Sequence, residues 1–141
     1  MIKEWDLEEL TVDQKLEPMV KPPITRVQLA QYAGASGDFN PLHLDDDFAK
    51  KIGLGGAVAH GMLVMGFLGE YVMKIAAQQA RVANFKMRFG KMTVLGDEIK
   101  CSGIVERTYE EDGKRCIALD LTAEKVSGEV VGSGSAILQL T

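Results

Sequence analysis

Residues 60–80, HGMLVMGFLGEYVMKIAAQQA, restrict the possible folds of this chain more than any other segment. The first half of this run is apolar on every side of a helical wheel, and only the second half carries a polar stripe, Glu70, Lys74 and Gln78, spaced by four. The pattern predicts one long helix, His60 to Ala80, whose front is enclosed on all sides and whose rear reaches the surface. Enclosure of that kind needs a sheet that wraps, and strand-like sequence follows. In Phe85-Lys86-Met87-Arg88-Phe89 apolar and basic residues alternate with period two, and 98–108, 115–126 and 129–141 are rich in Val, Ile, Leu and Thr. Glu111-Asp112-Gly113 and Ser127-Gly128 provide turns between them. The expected class is α+β, one buried helix with a mostly antiparallel sheet wrapped about it.

Ahead of the helix, residues 12–23 end in Pro22-Pro23 and hold scattered apolar positions, as suits an edge strand or extended arm. Thr25 is placed to cap a short helix with Val27, Leu29, Ala30, Tyr32 and Ala33 facing inward, and the loop chemistry of Gly34 to Pro41 ends it. Asp45, Asp46 and Asp47 precede Phe48-Ala49-Lys50-Lys51, so acid opens and base closes a helix of one or two turns, complementing its dipole. Neighbouring helical side chains diverge, so the three aspartates read as a solvated helix start and not as a metal site.

With 141 residues the chain has the length of one domain, 1–141. Sixteen Lys and Arg against twenty Asp and Glu leave a net charge of −4, which offers no basic field for a nucleic acid. Cys101 and Cys116 lack metal-site spacing and read as buried or idle thiols in a reducing cytoplasm. The charged start, Met1 to Asp6, does not resemble a signal peptide. The run 53–69 has no Asp, Glu, Lys or Arg, but its six glycines and His60 leave it short of a membrane span. A cytoplasmic protein with no nucleic-acid or membrane partner is expected.

Chemistry is concentrated in Tyr32-Ala33-Gly34-Ala35-Ser36-Gly37-Asp38-Phe39-Asn40-Pro41-Leu42-His43. A carboxylate, Asp38, and an imidazole, His43, stand five residues apart across Asn40-Pro41, which favours a turn and lets the two converge. An acid and a base sharing a water make a workable proton-transfer site. As an isolated pair, a turn-capping Asp and a structural His would account for them better.

The whole segment, however, resembles the S-G-D-x-N-P-x-H signature of the MaoC-like hydratases and dehydratases, the (R)-specific enoyl-CoA hydratase family. Ser36, Gly37, Asp38, Asn40, Pro41 and His43 all match it, and Ala59-His60-Gly61-Met62-Leu63 matches a second family feature, A-H-G-M-L. The two occur in family order and at family-like spacing, which is more specific than either alone. The resemblance implies a hot-dog fold, a long central helix wrapped by a curved antiparallel sheet. It also implies action on thioesters of CoA or acyl carrier protein, by adding water to a trans-2-enoyl group or by dehydrating the (3R)-hydroxyacyl product. Asp38 and His43 would hold the water as the acid–base pair, and the Gly61 N–H would bind the thioester oxygen. The last role has independent support, because a helix-start N–H is unpaired and a glycine lets a ligand approach the main chain.

His60 is expected to be a hydrogen-bonded structural group outside the catalytic set, and Ser36 and Asn40 to shape the loop. Met62, Met65 and Met73 would line an acyl tunnel or fill the core, and Gly66 and Gly69 should have a packing or ligand reason to offset their cost in a helix. Lys86 and Arg88 read as a solvated strand face. No cofactor or metal is required. The family resemblance further implies a homodimer, or a heterodimer with another hot-dog chain in which only one chain carries the motif. The competing functions are a hot-dog thioesterase and a non-catalytic acyl-binding or scaffolding subunit.

Overall fold

The structure, a computed structural model, describes residues 3–141. Strand β1 (Lys15–Val20) is followed by helices α1 (Arg26–Ser36), α2 (Asp46–Lys51) and α3 (Gly61–Ala76). Strands β2 (Ala80–Phe89), β3 (Ile99–Glu111), β4 (Lys114–Lys125) and β5 (Val130–Leu140) complete the chain. All pairings are antiparallel in the order β1-β3-β4-β5-β2, which leaves β1 and β2 as the edges. This is the expected α+β architecture, the hot-dog fold of one long helix against a five-stranded antiparallel sheet.

Turn chemistry sets the register where the strands are longest. Asp112 and Gly113 both take positive φ, as a tight two-residue hairpin requires, and Glu111 pairs directly with Lys114. Pro18 lies where the β1 register shifts between Leu16 and Met19, a bulge on an edge strand that has no need of its missing N–H.

The helix α3 buries Leu63, Val64, Phe67, Leu68, Tyr71, Val72, Ile75 and Ala76, a continuous stripe that recurs with helical spacing. Ile99, Cys101, Val105, Ile117, Leu119, Leu121 and Leu138 of the sheet belong to the same core. Each large apolar side chain so buried contributes about 2 kcal/mol. Tyr71 also donates its hydroxyl to Glu17 O (3.0 Å), which ties the helix to β1. At the solvent side Glu70 accepts from Lys21 (2.8 Å) and pairs with Lys74 (3.4 Å), and these contacts, that of Lys21 first, hold its carboxyl below the ordinary range.

Three expectations change here. The helix stops at Ala76, not Ala80, because Ala77 turns to φ 47° and Gln79 is drawn into other bonds. The Gln79 side chain accepts from Leu7 N–H (2.9 Å) and donates to Trp5 O (2.6 Å), long-range partners that helical periodicity does not register. The front of α3 is not enclosed on all sides within this chain: Met62 is 56% exposed, and a Cβ on Gly66 would meet no atom within 4 Å. In α1 the inward residues are Leu29, Ala33 and in part Tyr32, whereas Val27 is 67% exposed and Ala30 is exposed.

Among the described residues no helix is long and apolar enough to cross a membrane. Cys101 and Cys116 are free and buried, and burial pushes the Cys101 thiol up to about 12. Alkylation with iodoacetamide at pH 8, read by mass spectrometry, is therefore expected to leave both cysteines unlabelled until denaturant is added. Labelling of either in the folded protein would contradict this packing.

Candidate active site

The loop that carries Asp38 and His43 is assembled from short bonds between each polar side chain and nearby backbone. Ser36 donates its hydroxyl to Tyr32 O (2.7 Å) and accepts from Asp38 N–H (3.2 Å). Gly37 ends α1 at φ 75°, a left-handed conformation that glycine takes without a Cβ penalty, and its N–H returns to Ala33 O. Asp38 Oδ1 then accepts from Asn40 N–H (3.2 Å), and Asn40 Oδ1 from Leu42 N–H (3.1 Å). That second bond caps a 3-10 turn, Pro41–His43, which swings His43 back over Asp38. Ser36 and Asn40 thus shape the loop, and Asn-Pro is the sequence chemistry that does so.

Asp38 Oδ2 faces His43 Nε2 at 3.7 Å, a separation wider than a hydrogen bond. The His43 side chain is 11% exposed and that of Asp38 is 51% exposed, so the pair spans the boundary between interior and solvent. His43 Nδ1 lies 2.7 Å from Val58 O. A carbonyl only accepts, so Nδ1 carries the proton and the free lone pair of neutral His43 sits on Nε2, toward Asp38.

Gly61 opens α3 and so has no carbonyl one turn earlier in the helix to receive its N–H; no backbone partner for it occurs among the described residues. With His43 it lines a cavity of about 280 Å³ whose wall also includes Leu42, Val58, Val64, Phe89 and Val131. The Gly61 backbone is close to that wall, since an added Cβ would sit 3.1 Å from Phe89 Cε1. The cavity is built by a long-range contact. Val58 bridges Val94, and Ala59 N–H donates to Thr93 O (2.8 Å), which lays the segment before α3 along the loop after β2. Asp46 secures the same segment from α2. It accepts from Ala57 N–H (2.9 Å) and pairs with Arg26, and these contacts hold its carboxyl below the usual carboxylate range.

The structure therefore places His43 and Gly61 on one cavity, with Asp38 facing His43 from outside its lining. His60 is the buried, hydrogen-bonded group expected, bound to Asp38 O, and its ring stacks on that of His43 with centroids 3.8 Å apart. Met62 and Met73 do not line the cavity, being 56% and 60% exposed, and Val64 is the helix side chain that does. The Phe89 to Thr93 wall has no local sequence signal, because it depends on pairing between segments more than thirty residues apart. Asp38, His43 and His60 place one carboxylate oxygen and ring nitrogens within 4.8 Å of one another. The two rings lie nearly parallel, at 22°, so an ion shared between them would sit out of both lone-pair planes, and the arrangement suits proton transfer better than metal ligation.

A family model described as MaoC like domain matches residues 8–127. The chain belongs to the MaoC-like family. It is 27% identical over 118 residues to an (R)-specific enoyl-CoA hydratase of Rhodospirillum rubrum, covering 83% of this chain and 80% of that protein. To the (R)-specific enoyl-CoA hydratase of Aeromonas caviae it is 28% identical over 114 residues, covering 80% and 84%. The solved structure of an (R)-hydratase from A. caviae involved in PHA biosynthesis superposes with a TM-score of 0.84 at 25% identity, over 95% of this chain and 99% of that one. Several other relatives are far longer: this MaoC-like chain spans 9% of the mouse peroxisomal multifunctional enzyme type 2 and 5% of the fatty acid synthase beta subunit TOXC of Cochliobolus carbonum.

The loop geometry depends on the glycine of the MaoC-like motif. Gly37→Ala is expected to lower stability by about 1 kcal/mol, because an L residue is strained at positive φ. Thermal unfolding checks this, and an unchanged midpoint would show that the loop relaxes to another conformation.

Proposed function

We propose that this protein catalyses the reversible (R)-specific hydration of trans-2-enoyl thioesters of CoA or acyl carrier protein. The observation that carries the reading is a carboxylate and an imidazole facing each other across 3.7 Å beside an apolar cavity that Gly61 also lines. A water between Asp38 Oδ2 and His43 Nε2 would attack C3 as the pair takes its proton. Electron density then moves through C2 to the thioester oxygen, where the Gly61 N–H, at the positive end of α3, stabilises it. The pair returns a proton to C2, so the product gains one water. Dehydration runs the same steps backwards, and none of them needs a cofactor.

The test is loss of enoyl absorbance when the protein meets crotonyl-CoA and a longer trans-2-enoyl-CoA, followed by chiral analysis of the product. Release of free thiol with the double bond intact would point to the thioesterase instead, and binding without turnover to a non-catalytic subunit. Asp38→Asn and His43→Ala are each expected to lower kcat by about a hundredfold or more while the fold survives. Gly61→Val should lower kcat without recovery at high substrate, since its side chain would crowd Phe89 and the thioester. Wild-type kcat in a folded variant removes that residue from the mechanism.

The active species in this proposal is a dimer, of two copies or with another hot-dog chain. Two features support it: the ten-residue strand β2 has an outer edge that pairs with no strand among the described residues, and the apolar side chains of Met62 and Phe89 are exposed beside the site. Light scattering at assay concentration is expected to give a dimer mass. Full activity from a monomer would contradict the assembly and leave the chemistry untouched.

A further inference from the structure

His60 is 2% exposed and makes two contacts that no other side chain of the site combines. Its Nε2 lies 3.1 Å from Asp38 O, a backbone carbonyl, so neutral His60 carries its proton on Nε2 and donates it to the main chain of Asp38. Its ring face lies on the ring of His43, with centroids 3.8 Å apart and planes within 22°. Tyr32 packs against His60 at 4.8 Å and 59°, which confines the ring further.

The other bonds of Asp38 are local, to Ser36 and Asn40 within its own loop. Those bonds shape the loop but do not place it against the rest of the molecule. His60 reaches it from 22 residues away. His43 is held at its edge by Val58 O and at its face by His60, two residues further along the same segment. A second observation argues against mere filling of space. His60 Nδ1 is buried with no hydrogen-bond partner among the described residues, a cost that an apolar ring of similar size would avoid.

We propose that His60 is the positioning residue of this site, a buried clamp that fixes the Asp38 main chain through Nε2–H and the His43 ring through stacking. One side chain thereby sets the relative placement of both members of the pair. The inference rests on the reading of Asp38 and His43 as the acid–base pair. Its consequence is kinetic, because a displacement of about 1 Å in a reacting group costs on the order of a hundredfold in rate.

His43 and His60 are the only histidines in the chain, so nitrogen-15 NMR of histidine-labelled protein reads each ring directly. With both rings neutral, the wild-type protein is expected to show His60 as the Nε2–H tautomer and His43 as the Nδ1–H tautomer. A His60 ring with its only proton on Nδ1, leaving Nε2 bare, overturns the clamp, and this arm needs neither a variant nor a substrate.

Two variants then separate the contacts. His60→Gln keeps an N–H donor and removes the ring, and His60→Phe keeps the ring and removes the donor. Each is expected to lower kcat about tenfold or more with KM changed less than about threefold, and to cause no further loss in an Asp38→Asn background. Wild-type kcat in either folded variant, or the same loss with and without Asp38→Asn, overturns the proposal. If the wild-type protein hydrates no enoyl thioester, the hydratase reading fails, and the His43 resonances of His60→Gln decide the clamp alone. Splitting or broadening supports it, and unchanged resonances refute it.

Discussion

A helix that presents Leu63, Val64, Phe67, Leu68, Tyr71, Val72 and Ile75 along one side has to be covered along its length, and a five-stranded sheet covers it by packing one face against it. Burial of that stripe is the constraint on which the site depends. It fixes where α3 begins, and the beginning of α3 is where Gly61 presents its N–H and His60 its ring. The loop that carries Asp38 and His43 is then brought to a helix end already anchored in the core, so a flexible-looking sequence rich in Gly, Ser and Asn is held against a rigid element.

Two kinds of bond share the work in that loop. Ser36, Asp38 and Asn40 each bind backbone within a few residues, and these bonds turn the chain so that a carboxylate and an imidazole face one another. Long-range bonds from the segment 57–60 place the turned loop on the body of the protein. Ala57 binds Asp46, Val58 binds His43, and His60 binds Asp38. Local bonds give the pair its shape, and distant ones give it a position relative to Gly61 and the cavity.

The A. caviae and R. rubrum hydratases match this chain over 84% and 80% of their own length, whereas the match to the mouse multifunctional enzyme takes in 46% of this chain and 9% of that protein. That distribution is consistent with how the site is built. Asp38, His43, His60, Gly61 and the Phe89 to Thr93 wall all lie within one sheet-and-helix unit, so the proposed acid–base pair and the proposed helix-start donor are carried by that unit alone.

The sequence by itself determined the features that local chemistry dictates. Period-two alternation located the second half of β2, apolar content and turn residues located β3 to β5, the Thr25 cap located the start of α1, and the Asn40-Pro41 turn implied that Asp38 and His43 converge. The resemblance of two motifs in order pointed to the MaoC-like family and the hot-dog fold, and the family and the fold both stand. Only the tertiary structure decided features that depend on partners distant in the chain. Gln79 left the helix for Leu7 and Trp5, Met62 stayed exposed although its neighbours predicted enclosure, and the bridge of Val58 with Val94 raised the cavity wall. His60 changed most. Its spacing along the chain places it beside Gly61, but its stack on His43 and its bond to Asp38 arise because burying α3 brings its first turn under a loop some twenty residues earlier. Periodicity and turn chemistry act over a few residues, and contacts of that range are outside what they encode.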